Sequence, residues 1–132
     1  MTDFRVSEAA ALLGISDDTL RRWAEAGRVE VTRSAGGRMT VSGVALAALA
    51  REMARDQQAA GTPPASARNR LRGIVTGVVK DTVMAQVEMQ AGPFRVVSLM
   101  SREAADELGL EVGTLAVATV KATNVVVELP ER

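Results

Sequence analysis

Two consecutive prolines, Pro63 and Pro64, stand near the middle of the chain inside QAAGTPPA, and they constrain the fold more than any other feature. Proline fixes φ, lacks an N–H and biases the preceding residue toward extended backbone, so no helix runs through the pair. The small residues around it have little surface to bury. The 132-residue chain is therefore read as two units, residues 1–57 and 66–130, joined by a linker at 58–65. Units of roughly 60 residues lie near the lower limit for independent folding, and such units often lean on partners.

Each side of the linker carries eight basic and eight acidic residues. Neither half is a bulk polycation, so any nucleic-acid binding must come from local arrangement. The chain has no cysteine and no histidine, which excludes disulfides, thiolate or imidazole metal sites and Cys or His catalysis. No cation-binding metal site is expected. With no catalytic constellation in view, the chain is read as a non-enzyme. No apolar run approaches the roughly 20 residues of a membrane span, and MTDFRVSEAA lacks the basic-then-apolar order of a secretion signal. The expectation is a cytoplasmic protein with no membrane partner.

The first half reads as three helices and a hairpin. Val6, Ala9, Ala10 and Leu13 recur at helical spacing, with Ser7 as N-cap and Gly14 as stop. Ser16 caps a second helix in which Leu20, Trp23 and Ala24 share a face, Asp18, Arg22 and Glu25 point away, and Arg21 lies at the flank; Gly27 ends it. Two short helices with paired arginines on the second form a helix-turn-helix arrangement, whose second helix enters the DNA major groove. VEVTRSAGGRMTV then makes a wing carrying Arg33 and Arg38, its turn formed by Ala-Gly-Gly. Ser42 caps a third helix, with Val44, Leu46, Leu49 and Met53 facing the core. The same periodicity suits any short helical pair, and an Arg-Arg pair also suits a solvated face.

Beyond the linker the pattern changes to strands: LRGIVTGVVK, TVMAQVEMQ and PFRVVSLM, with turns at Lys80-Asp81 and Ala91-Gly92-Pro93. Val83, Ala85, Val87 and Met89 alternate with polar or exposed partners, as a half-buried antiparallel sheet requires. Ser101 caps a short helix ending at Gly109, and TLAVATVKATNVVVEL resumes strand character. The fold class is α+β with two domains, the second an OB-like β-barrel with one short helix.

The start of that barrel, SARNRLRG, is rich in hydrogen-bonding groups. Strand alternation sets Arg68, Arg70 and Arg72 on one face and Asn69 and Leu71 on the other. Far along the chain Lys121-Ala122-Thr123 interrupts an apolar run. Arg68 and Lys121 supply charge, Ser66 and Thr123 supply hydroxyls, and an all-donor group of this kind suits an oxyanion. Arg68 also fits a surface strand residue, and Lys121 an edge lysine that discourages aggregation.

VSEAAALLGISDDTLRRWAEAGRVEVTRSAGGRMTV resembles the winged helix-turn-helix of the MerR and excisionase families. The resemblance implies double-stranded DNA as partner, with Asp18, Thr19, Arg21 and Arg22 in the recognition helix and Arg38 on the wing. It departs in one respect: MerR regulators usually continue into a long dimerisation helix, and this chain enters the linker.

SARNRLRGIVTGVVKDTVMAQVEM, followed by VVSLMSREAADELGLEVGTLAVATVKATNVVV, resembles the Mop domain, the TOBE-type module of molbindins and molybdate-responsive regulators. The resemblance implies that molybdate or tungstate binds between subunits, the S-A-R segment of one module meeting the lysine segment of another. By position this gives Ser66, Ala67 through its backbone, Arg68, Lys121 and Ala122 through its backbone, with Ser98 and Ser101 as further contacts. Some relatives carry serine where this chain has Ala122. A second family site uses polar residues of the short helix, which Ala104 and Glu107 fit poorly, and it is not expected. A homo-oligomer follows from the resemblance, either a dimer or a trimer of dimers. The implied function is a molybdate- or tungstate-responsive transcriptional regulator of molybdenum homeostasis. The alternative is an oxyanion store tethered by its helical half.

Overall fold

Phe4 lies opposite Val41 in a strand pair absent from the sequence-based expectation of a hairpin alone. A computed structural model describes residues 2–58 and 64–131, which fall into two units, Met1–Pro63 and Pro64–Arg132; residues 59–63 of the expected linker lie outside the described residues. In the first unit, β1 (Asp3–Arg5) and β2 (Thr32–Arg33) flank β3 (Met39–Ser42), all antiparallel. A three-residue strand is too short to show alternation, and its partner lies more than thirty residues away, so pattern reading passes over it.

That strand also corrects the first cap. Helix α1 (Val6–Leu13) starts directly after Arg5, which is extended and caps with no side-chain bond. Because Arg5 is still paired with Thr40, a capping hydroxyl would have to stand at position 5, and Ser7 lies inside the first turn. Gly14 ends the helix with φ 71°, its N–H donating to the Ala10 and Ala11 carbonyls. A side chain is disfavoured there because L-residues avoid left-handed backbone. Helix α2 (Asp17–Glu25) begins as expected, with Ser16 Oγ accepting from the Thr19 N–H at 3.1 Å. Helix α3 (Gly43–Gln58) has Ser42 Oγ accepting from the Ala45 N–H at 3.1 Å.

Val6, Ala9, Ala10, Leu20, Val29, Val41, Leu46 and Leu49 form the core of this unit, with Trp23 and Met53 partly buried against it. Val44, expected in that core, is 72% exposed. Two residues along a helix turn roughly 200°, so with Leu46 facing inward Val44 faces out. The Arg28 guanidinium covers the outer side of Trp23, 4.2 Å from the ring centroid.

The second unit is built on an antiparallel sheet in the order β6-β5-β4-β7: β4 (Asn69–Lys80), β5 (Met84–Ala91), β6 (Phe94–Ser101) and β7 (Leu115–Val120). A bulge between Val75 and Gly77 bends β4, and the sheet curls into an OB-like half-barrel. Val75, Ala85, Val87, Met89 and Ala91 line the buried side with Ala105 of the short helix α4 (Arg102–Glu107). Gly73 crosses β5 so closely that a Cβ would stand 2.1 Å from the Gln90 carbonyl oxygen. Ser101 caps α4, accepting from the Ala104 N–H at 3.1 Å.

Two expectations for this unit change. Val83 is 68% exposed, because it precedes β5 in a turn where Asp81 Oδ1 accepts from the N–H groups of Val83 and Met84, at 2.8 and 2.7 Å. The last apolar run is a strand only to Val120. A 3-10 turn follows at Ala122–Asn124, and residues 125–131 join no ladder among the described residues. Val126, Val127 and Leu129 are consequently 90%, 87% and 91% exposed. Among the described residues no helix is long and apolar enough to cross a membrane.

Candidate functional sites

The β4–β7 ladder ends with Asn69 opposite Val120. Because the strands are antiparallel, the residue before Asn69 and the residue after Val120 emerge at the same end. Those residues are Arg68 and Lys121. Both are exposed, and neither forms an ion pair among the described residues. Ser66 and Ala67 lead into this end, and Ala122 and Thr123 lead away from it in the 3-10 turn, with Lys121 as its extended cap. Six of the eight residues expected around an oxyanion, Ser66 to Arg68 and Lys121 to Thr123, therefore meet at one end of one ladder.

Ser98 and Ser101 do not join them within one chain. Ser98 pairs with Val87, which pairs with Val78, nine residues along β4 from Asn69. At about 3.3 Å per residue that is on the order of 30 Å. Ser101 lies farther still, opposite Met84, and its hydroxyl is engaged in capping α4. A site uniting these serines with Arg68 would need a second copy of the chain.

The sheet's paired carboxylates lie elsewhere. Asp81 and Asp106 sit at the far end of β4, where Lys80 Nζ donates to Asp106 Oδ1 at 2.5 Å. That hydrogen bond holds the Asp106 carboxyl below its ordinary range. The N–H groups of Met84 and Val83 do the same for Asp81, and Arg95 does so for Glu88 on β5. A cleft of about 550 Å³ beside α4 is lined by Glu103, Asp106 and Glu107 as well as Arg102, a poor receptor for an anion. Asn69 escaped the expected site list although its side chain bonds across the ladder at that end, Nδ2 donating to the Val120 carbonyl at 3.0 Å. Its place in SARN was the available signal.

In the first unit, a groove of about 720 Å³ runs between α2 and the wing, lined by Arg5, Arg21, Arg33 and Arg38 together with Asp17 and Glu25. The wing is closed by Ser34 and Arg38, whose N–H and carbonyl bond at 2.8 Å, and by Gly37 at φ 78°. Arg21 and Arg38, both expected at a DNA surface, share this groove; Arg22 does not line it. Arg22 Nη2 instead donates to Thr19 Oγ1 at 3.2 Å, and Thr19 Oγ1 lies 2.9 Å from Ser16 Oγ. Asp18 approaches Arg21 at 4.0 Å. Thr19 thus braces Arg22 from three residues away, and Asp18 lies near Arg21 at the same spacing. Arg5 gave no sequence signal, because it reaches the groove through β1.

Comparison with known proteins matches each half to a family model. Residues 4–54 match the model of a helix-turn-helix domain, and residues 65–127 match that of the TOBE domain. Molybdenum-pterin-binding protein 2 of Clostridium pasteurianum is 40% identical over 63 residues, spanning 47% of this chain and 93% of that protein. A probable molybdenum-pterin-binding protein of Haemophilus influenzae is 44% identical over 63 residues, spanning 47% of this chain and 91% of that protein. A solved molybdate-binding protein from Sporomusa ovata shares 33% identity at a TM-score of 0.49, covering 51% of this chain and all of the other. The chain joins a helix-turn-helix domain to a second half that belongs to the TOBE domain family.

Proposed function

We propose that this chain is a molybdate- or tungstate-binding transcriptional regulator of molybdenum homeostasis, acting in the cytoplasm. Residues 1–57 read DNA, 58–65 form the linker and 66–130 take the oxyanion. The observation that carries the reading is the ladder register that sends Arg68 and Lys121 out at one end, in a chain whose other half has a groove lined by four arginines. Molybdate at neutral pH is a dianion without a proton, so it needs only donors. Phosphate keeps a proton part of the time and gains from an acceptor. Arg68, Lys121, the Ser66 and Thr123 hydroxyls and the backbone N–H groups of Ala67 and Ala122 supply donors, and size then has to reject sulfate.

The reading includes a homo-oligomer, a dimer or a trimer of dimers. Ser98 and Ser101 reach an anion held by Arg68 and Lys121 only if they come from another copy. The exposed run at Val125 to Leu129 supports this, since extended apolar backbone is commonly covered by strand addition.

A second reading is an oxyanion store in which the helical half is a tether. It is favoured by the molybdenum-pterin-binding relatives, most of whose length is matched by the TOBE half alone. The two readings separate in a selection of random duplexes by the full-length protein. The regulator enriches a defined sequence; the store enriches none while still binding molybdate by calorimetry.

A further inference from the structure

We infer that Asn69 is a positioning residue for the oxyanion site, its side-chain amide fixing the chain at Val120 and so setting where Lys121 and the following turn present their donors. The inference rests on the proposed anion site and adds to it a residue that touches no ligand.

Its basis is a single cross-strand bond. Asn69 Nδ2 donates to the Val120 carbonyl at 3.0 Å, between residues 51 apart in sequence. Among the described residues it is the one side-chain bond between β4 and β7, and it lies on their last rung. Beyond that rung, among the described residues, no hydrogen bond joins 66–68 to 121–123. The amide is therefore the outermost tie between the two segments that carry Arg68 and Lys121. The Val120 carbonyl it holds belongs to the peptide leading into Lys121, so the direction in which that lysine leaves the sheet is set at this bond. Lys121 then caps the 3-10 turn, its carbonyl accepting from the Asn124 N–H at 2.9 Å.

The chemistry of the residue fits this role. A carboxamide donates to a carbonyl without bringing charge. An aspartate of the same shape would repel both the Val120 carbonyl and a dianion, and a serine or alanine would not span the ladder. Asn69 is half-buried while its neighbour Arg68 is exposed, so the amide is held against the sheet and the guanidinium is free to meet a ligand.

The test uses the full-length protein and sodium molybdate in calorimetric titrations of wild type, Asn69→Ala, Asn69→Asp, Lys121→Met and the Asn69→Ala, Lys121→Met double variant. Asn69→Ala should weaken binding about three- to tenfold, the worth of one hydrogen bond, and Asn69→Asp should weaken it further. In the Lys121→Met background Asn69→Ala should have little added effect, because the lysine it positions is gone. Amide exchange in the ligand-free protein gives a second readout: Asn69→Ala should speed exchange at Asn124 and leave the β4–β5 ladder unchanged. Equal losses in both backgrounds, or unaltered exchange at Asn124, overturn the role of Asn69 and leave the anion site standing. Wild-type protein that fails to bind molybdate overturns the site and this role together.

Discussion

Arg68 and Lys121 leave neighbouring antiparallel strands one residue beyond the same rung, that of Asn69 and Val120. Adjacent strands lie about 4.8 Å apart, so two residues 53 apart in sequence begin at nearly the same place. If each donates a charge-assisted bond worth about 1.5 to 3 kcal/mol, Arg68→Ala and Lys121→Met should each weaken molybdate binding at least about tenfold. The melting temperature should stay near that of wild type, since both residues are exposed. Unchanged affinity in both variants removes them from the site.

Gly73 should tolerate no side chain. A Cβ there would meet backbone of β5 at 2.1 Å from the Gln90 oxygen and 3.0 Å from the Ala91 Cα, and backbone cannot swing aside. Gly73→Ala should destabilise the second unit by about 3 kcal/mol or more. Gly77→Ala, whose nearest contact would be the Glu88 Cβ at 3.9 Å, should stay within about 1 kcal/mol of wild type. Denaturant melts of the two variants check the contrast.

The carboxyl of Asp106 is held down chiefly by the Lys80 hydrogen bond. A depressed folded-state value means that its contribution is present above the ordinary value of 3.8 and is lost as the pH falls through the lower folded value. Stability measured from pH 5 downward should fall less steeply in Lys80→Met than in wild type, with the curves differing mainly above the folded value. Parallel curves would show that the pair contributes nothing measurable, a common outcome for exposed pairs.

Arg38 and Arg22 should fail in different ways. Arg38 lies on the wing, in the groove shared with Arg21. Arg38→Ala should weaken all duplexes alike and reduce the salt slope by about one. Arg22 is braced by Thr19, so Arg22→Ala, and more mildly Thr19→Val, should relax sequence preference. Unchanged binding by an Arg21→Ala, Arg22→Ala double variant would mean that the helical half does not read DNA.

Local signals revealed most of this fold, and long-range pairing accounts for what they missed. Ser16, Ser42 and Ser101 announced helix starts because an N-cap acts within three residues, and all three hydroxyls accept the expected N–H. Ser7 misled because β1 ends at Arg5, and that strand exists only through residues 40–42. Val125 to Val127 read as strand because β-branched residues favour pleated backbone, yet a strand also needs a partner edge. In the proposed anion site Lys121 was legible as an interruption of an apolar run, and Arg68 as part of a strand start rich in hydrogen-bonding groups. Asn69 was not, because its role depends on which carbonyl lies across the ladder. The groove residue Arg5 was hidden for the same reason.

On the proposed reading, oxyanion binding in one half changes DNA binding by the other, and linkage makes that change reciprocal. The direct measurement is an anisotropy titration of the full-length protein on its selected duplex, with molybdate, tungstate and sulfate compared at fixed ionic strength. Typical couplings of about 1 to 3 kcal/mol correspond to roughly 5- to 150-fold; about fivefold, the low end, is expected with molybdate or tungstate and no change with sulfate. DNA affinity unmoved by either oxyanion, in protein shown by calorimetry to be saturated with it, would contradict the regulator and leave the store.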